Sequence, residues 1–293
     1  MFEVTALPLF DPADLLAAAE SVEPLPHTIA RLATLVADPD FDIRDITETV
    51  SLDVSLTADL LRRANAAALG HRSTISSVQD AVVRIGPSML LSLSLASGVG
   101  KRMLHALPAY GLGPGALWAR SVAASIAAEG IRSRARVPVP PEVGTAALLH
   151  DFGKLVLAKH FGKQILETLA LAAATDGTDL LETEQVVFGI NHAEIGALVA
   201  ESWGLPLTIV DGIRDHHESH PDLSPVSAAV GLACAMSFEV TTRDPDADEI
   251  EVRAARRRDI TPLLDILQLD AADYHAIVAA ACERFDEVSD QYA

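Results

Sequence analysis

With 41 acidic and 22 basic side chains in 293 residues, the chain carries a formal charge of −19, a field that repels phosphate and argues against nonspecific binding to nucleic acid or anionic membrane. Apolar residues make up 49% and aromatics 4%, with mean hydropathy +0.26, a balance that argues against disorder. Ala, Leu and Val supply most of that apolar mass, which favours close-packed helices over an aromatic-rich sandwich, in one large domain or two small ones.

The first residues, MFEVTALPLFDPADLL, are acidic and lack the basic start of a secretory signal. In residues 53–65 the apolar positions 56, 60, 61 and 64 share one helical face, and Asp53 or Ser55 is placed to accept from the first free N–H groups. A second helix begins at Ser77, where Ser77 and Asp80 resemble a capping box; its stripe is Val78, Ala81, Val82 and Ile85. Gly86 supplies the stop, and Pro87 suits the first turn of a further helix over 88–104. The longest charge-free stretch, 85–100, has 16 residues and contains Pro87 and several serines, too short and too polar for a membrane span.

Residues 105–116, rich in Gly and Pro, read as a connection, and 118–131 as a helix. The basic loop 132–141 ends in Pro140–Pro141, which open a predicted helix running to about Lys159. Further helices are predicted over 191–203, from Pro206 to near His216–His217, and from Ser224–Pro225 through Phe238. Residues 241–259 shift abruptly to charge and read as a linker, after which Thr261–Pro262 and Asp270 open two terminal helices. Strand signals are scarce throughout. The fold class is all-α.

The pair His150–Asp151 stands out because it interrupts an apolar run, AALLHDFGKLVL, where an imidazole and a carboxylate must be paired, hydrogen-bonded or metal-bound. Neighbouring side chains diverge by about 100° on a helix, so the two join one site only at a bend or helix end, and Gly153 offers a place for one. His192 opens a helix and His216–His217 close another; with Asp151 they are ligand types suited to Fe, Mn or Zn. A core hydrogen-bonded pair and helix-end histidines are the alternatives. The two cysteines, Cys234 and Cys282, show no CxxC spacing and fit a reducing compartment, and GLGPG at 111–115 lacks the Lys–Ser/Thr of a phosphate loop. Arg253, Arg256, Arg257 and Arg258 lie between Glu251 and Asp259 and read as a solvated face, or as a contact for an anionic partner or domain docking.

LPHTIARLATLV (25–36), DVSLTADLLRRANAAALG (53–70), SSVQDAVVRIGPSMLLSLSLA (76–96), LLHDFGKLVL (148–157), HAEIGALVAESWGLP (192–206) and IRDHHE (213–218) together resemble an HDOD domain, the HD-related output domain akin to HD and HD-GYP phosphohydrolases. The resemblance covers roughly 20–240. It implies a two-lobe helical fold: an extension at 1–19, an N-terminal lobe over 20–115, an HD-like lobe over 116–240, a linker at 241–259 and C-terminal helices at 260–293. It further implies a bacterial cytoplasmic signalling protein. Set against active HD enzymes, Arg120 falls where a coordinating His is expected and Cys234 falls near the place of a later Asp. A guanidinium donates no lone pair to a metal, and beside Asp151 it would neutralise the carboxylate. Asn65 matches a family position and is expected to lock a turn through backbone hydrogen bonds.

The sequence therefore leads us to expect a degenerate HD pocket of Arg120, His150, Asp151, His192, His216, His217 and Cys234 in a non-catalytic signal-transduction protein. Expected partners are a signalling protein, with a small anion or nucleotide, or a second copy of the chain, as further candidates; neither DNA nor membrane is expected. No cofactor is required, but a divalent Fe, Mn or Zn ion would fall to His150, Asp151, His192, His216 and His217. The alternative is a metal-dependent phosphohydrolase or cyclic-dinucleotide phosphodiesterase.

Overall fold

The computed structural model describes residues 17, 19, 22–23, 25–38, 40–66, 75–161, 180–242 and 258–289. Fourteen α-helices run through the described residues: α1 (His27–Ala37), α2 (Ile43–Ser51), α3 (Val54–Ala66), α4 (Val78–Ile85), α5 (Pro87–Met103), α6 (Ala116–Arg134), α7 (Val143–Leu149), α8 (Phe152–His160), α9 (Leu180–Phe188), α10 (His192–Ser202), α11 (Leu207–Arg214), α12 (Pro225–Thr241), α13 (Thr261–Leu267) and α14 (Ala271–Ser289). They contain no β-sheet, only an isolated bridge between Leu107 and Leu112 around a short 3-10 turn at Pro108–Tyr110. Helices α9, α1 and α2 were not anticipated. Most of the extension at 1–19, most of the linker, and Arg253, Arg256 and Arg257 lie outside the described residues.

The N-terminal lobe is built from short helices that each bury one face. Asp42 caps α2 by accepting from the Arg44 N–H at 2.8 Å, and the Ser77 side chain caps α4 by accepting from the Asp80 N–H at 3.1 Å. Gly86, with φ +86°, lets the chain turn 102° between α4 and α5, and Pro87 starts α5 where no N–H is needed. Asn65 behaves as expected: its side chain donates to Leu61 and Ile75 carbonyls and accepts from the Ile75 N–H, each at 2.8 Å, tying the end of α3 to Ile75.

The second lobe centres on α6, which packs against α7, α12 and α14. Helix α12 is buried on every side from Val226 to Phe238, as a helix apolar all round must be. The lobes join through α5, which packs on α1 and on α7, where Ser92 and Thr145 share a buried hydrogen bond of 3.2 Å. The C-terminal pair covers this lobe rather than extending from it. Ile277 of α14 seats against Gly130 so closely that a Cβ there would lie 2.9 Å from its Cγ2, Tyr274 donates to Glu239 at 2.5 Å, and Arg136 pairs with Asp273 at 2.9 Å. Among the described residues no single helix is long and apolar enough to cross a membrane.

One predicted element is divided. The helix expected from Pro140–Pro141 to Lys159 breaks at His150–Asp151, which end α7 and precede α8. The break falls two residues before Gly153, whose own role is different: a Cβ at that position would lie 1.9 Å from the His192 carbonyl oxygen and 2.9 Å from the Gly196 nitrogen. Glycine here lets α8 and α10 meet backbone to backbone, which carries His192 up to Asp151.

Candidate functional site

The helix break turns both His150 and Asp151 inward, and three other elements converge on them. Asp151 Oδ1 lies 3.3 Å from His192 Nε2 and 3.8 Å from His216 Nε2, while its Oδ2 lies 3.5 Å from His150 Nε2 and 2.8 Å from the Lys154 ammonium. His216–His217 stand just past α11, and His217 Nε2 meets His192 Nε2 at 2.9 Å. Asn191 caps α10 with a full capping box through Glu194, which fixes His192 at the first turn. His150, Asp151, His192 and His216 are exposed by no more than 2%, while His217 is partly exposed at the edge of the cluster.

Backbone and carboxylate partners fix which ring nitrogen faces inward. His150 Nδ1 donates to the Ala147 carbonyl at 2.7 Å and His216 Nδ1 to the Ile213 carbonyl at 2.6 Å. His192 Nδ1 donates to Glu184 at 2.7 Å, and the same carboxylate accepts the His192 backbone N–H at 2.8 Å. Every inward nitrogen is therefore an Nε2, the arrangement by which outer partners orient histidines toward a metal. Three of the inward atoms, His150 Nε2, His216 Nε2 and Asp151 Oδ1, are buried without a hydrogen bond. Orphaned donor atoms of this kind fit a divalent cation: Asp151, His192, His216 and His217 offer one ligand atom each within 4.8 Å of one another, and so do His150, His216 and Cys234. A buried His/Asp cluster capable of coordinating a divalent metal is present.

Charge is balanced pair by pair. Burial disfavours ionised Asp151, yet Lys154, His150 and His192 hold its carboxyl well below the usual range. Burial also opposes charge on His192, but Glu184 and Asp151 outweigh it and the opposing Lys154, raising His192 to about 9. Burial and the neighbouring His150 and His192 push His216 well down, and burial with His216 and His192 does the same to His217. His150 is raised against burial by Asp151 and Cys234.

Arg120, expected in this pocket, is buried on α6 with its guanidinium 4.5 Å over the Phe238 ring, and Lys154 supplies a cation in contact with Asp151. Lys154 and Glu184 were missed. Lys154 had a signal, an ammonium three residues after Asp151 in an apolar run; Glu184, eight residues before His192 in sequence, had none.

A family model for the HDOD domain matches residues 22–219, over half the chain. The chain belongs to the HDOD family. The HDOD fold extends to solved structures: a protein named "Putative phosphohydrolase" from Shewanella amazonensis SB2B is 26% identical, with a TM-score of 0.63 over 92% of this chain and 98% of that one. An HDOD domain protein of unknown function from Geobacter sulfurreducens is 23% identical, with a TM-score of 0.66 over 96% of each chain. An uncharacterized protein of Treponema pallidum (strain Nichols) is 25% identical over 219 residues, 73% of this chain; the match spans only 42% of that curated relative. The HDOD assignment relates the chain to the HD and HD-GYP phosphohydrolase superfamily.

Proposed function

We propose that this chain is a non-catalytic, cytoplasmic regulatory protein that works by binding a protein partner, with its HD centre serving as an internal organiser rather than a reaction site. The observation that carries this reading is burial: His150, Asp151, His192 and His216 are each at most 2% exposed, His217 alone of the five histidine and aspartate side chains being partly exposed, and the Lys154 ammonium already sits 2.8 Å from Asp151. A phosphate ester needs an open approach to the ion and water that would attack it. Arg120 in place of an imidazole agrees with the same reading, since it adds no ligand. The exposed apolar side chains Phe41, Leu52, Val83 and Met89 put the N-terminal lobe forward as the partner-binding face. A small anion, a nucleotide or a second copy are alternative occupants.

The test is turnover. With Mn or Fe supplied, the purified protein is expected to release no product from cyclic dinucleotides or a model phosphate ester; turnover abolished by Asp151→Ala overturns the proposal. The competing reading, a metal-dependent phosphohydrolase or cyclic-dinucleotide phosphodiesterase, is favoured by the orphaned Asp151 Oδ1 and His216 Nε2. In it His150, Asp151, His192, His216 and His217 would hold a divalent ion, whose chemistry is to polarise a phosphate and acidify water.

A further inference from the structure

The two donor groups in the HD centre are not equally satisfied. His192 bridges Glu184 at 2.7 Å and His217 at 2.9 Å, so the side of the centre containing His192 and His217 closes on its own hydrogen bonds. On the other side, His150 Nε2 and His216 Nε2 are buried and bonded to nothing, and their rings meet edge to face with centroids 4.9 Å apart. The third group facing them is the thiol of Cys234, buried on α12. One donor atom from each of His150, His216 and Cys234 lies within 4.8 Å of the other two.

We propose that His150, His216 and Cys234 form a zinc site in which Cys234 is the deciding ligand, as thiolate. Two imidazoles with a thiolate are the donor set that selects zinc over the harder Mn or Mg. The charge balance points the same way. The Asp151 carboxylate is matched by Lys154 at 2.8 Å and the Glu184 carboxylate by His192 at 2.7 Å, which leaves the Cys234 sulfur to supply negative charge to a bound dication. The thiol proton leaves to solvent as the zinc–sulfur bond forms. Tetrahedral zinc with these ligands places its donors about 3.3–3.8 Å apart, within the 4.8 Å that bounds their separation here. This inference goes beyond the non-catalytic reading and does not depend on it, because sulfur ligation and phosphate-ester turnover are measured separately.

The experiment uses the full chain stripped of metal and reloaded with Co(II). One equivalent is expected to give the near-ultraviolet thiolate-to-cobalt charge-transfer absorption, displaced by Zn(II), abolished in Cys234→Ser and fully retained in Cys282→Ser. Cobalt bound without that absorption, the absorption surviving Cys234→Ser, or no retention of either metal overturns the site. Should Cys234→Ser fail to fold, X-ray absorption at the zinc edge of the wild-type chain decides: a sulfur scatterer at about 2.3 Å is expected, and a shell of nitrogen and oxygen alone overturns the proposal.

Discussion

The two lobes spend their polar side chains differently. Among the described residues of the N-terminal lobe the buried polar groups are Thr49, Ser92 and Ser94, all uncharged hydroxyls. In the HD lobe they include Arg120, Glu142, His150, Asp151, Lys154, Glu184, His192 and His216. One lobe is held by amphipathic helices with side-chain caps; the other encloses an ionic centre. Buried ion pairs seldom stabilise a fold more than well-packed apolar side chains of similar volume. The difference therefore teaches that the second lobe is organised around what its centre holds, whereas the first is organised around packing.

The sharpest way to break that contrast is to remove one charge from the centre. Asp151→Ala leaves the Lys154 ammonium buried and unmatched at the position where it now sits 2.8 Å from the carboxylate. Urea unfolding of the metal-free chain is expected to show a loss of about 3–5 kcal/mol. The double variant Asp151→Ala, Lys154→Met is expected to recover most of it. If the single variant loses no more than a Thr49→Val change in the other lobe, the contrast is wrong.

Gly153→Ala tests the approach of α8 to α10 instead of the charge. A Cβ 1.9 Å from the His192 carbonyl forces the helices apart, at about 3 kcal/mol. Gly86→Ala in the first lobe meets nothing within 4 Å and is strained only by its φ of +86°, so its loss is expected to be smaller.

Proton linkage sharpens the comparison further. His192 is raised from 6.5 to about 9 by Glu184 and Asp151 against burial. A folded-state pKa above the unfolded one means the stabilisation is fully present below pH 6.5 and lost as pH rises through 9. In the metal-free chain the loss between those limits is expected to be on the order of 2–3 kcal/mol, and His192→Gln should flatten it. A pH-independent midpoint over this range, or an equal slope in His192→Gln, removes the assignment.

How much of this was legible depended on periodicity and on locality. Helices α3 and α4 carried one-face stripes, and α4 and α5 start signals in Ser77 and Pro87, so their ends were readable, and Asn65 acts within ten residues of itself. Helices α6 and α12 bury most of their circumference, so periodicity could not say which way Arg120 or Cys234 faces. His150, Asp151, His192, His216 and His217 were visible as polar types in apolar surroundings. The break at His150–Asp151 was not, because no Gly or Pro marks it, and Gly153 drew attention to the wrong residue. Glu184 was illegible because only the meeting of α9 with the start of α10 brings it to His192.

The smallest expected effect belongs to the first lobe and completes the contrast. Ser77 accepts from the Asp80 N–H at 3.1 Å and donates to the Asp80 carboxylate at 2.7 Å, an exposed cap at the start of α4. Removing it by Ser77→Ala leaves a helix N–H to water and is expected to cost about 1 kcal/mol. The effect should be the same with and without bound metal, since α4 packs on α2, α3 and α5 and carries none of the centre's ligands. By contrast, substitutions at His150 or Cys234 should change unfolding more in the zinc-loaded chain than in the stripped one, because a ligand stabilises only the state that binds it. Denaturation of Ser77→Ala in both forms measures this directly. An equal cost in each keeps the lobes energetically separate; a cost that grows with zinc would mean that the first lobe's helix starts are coupled to the centre through α5 and α7.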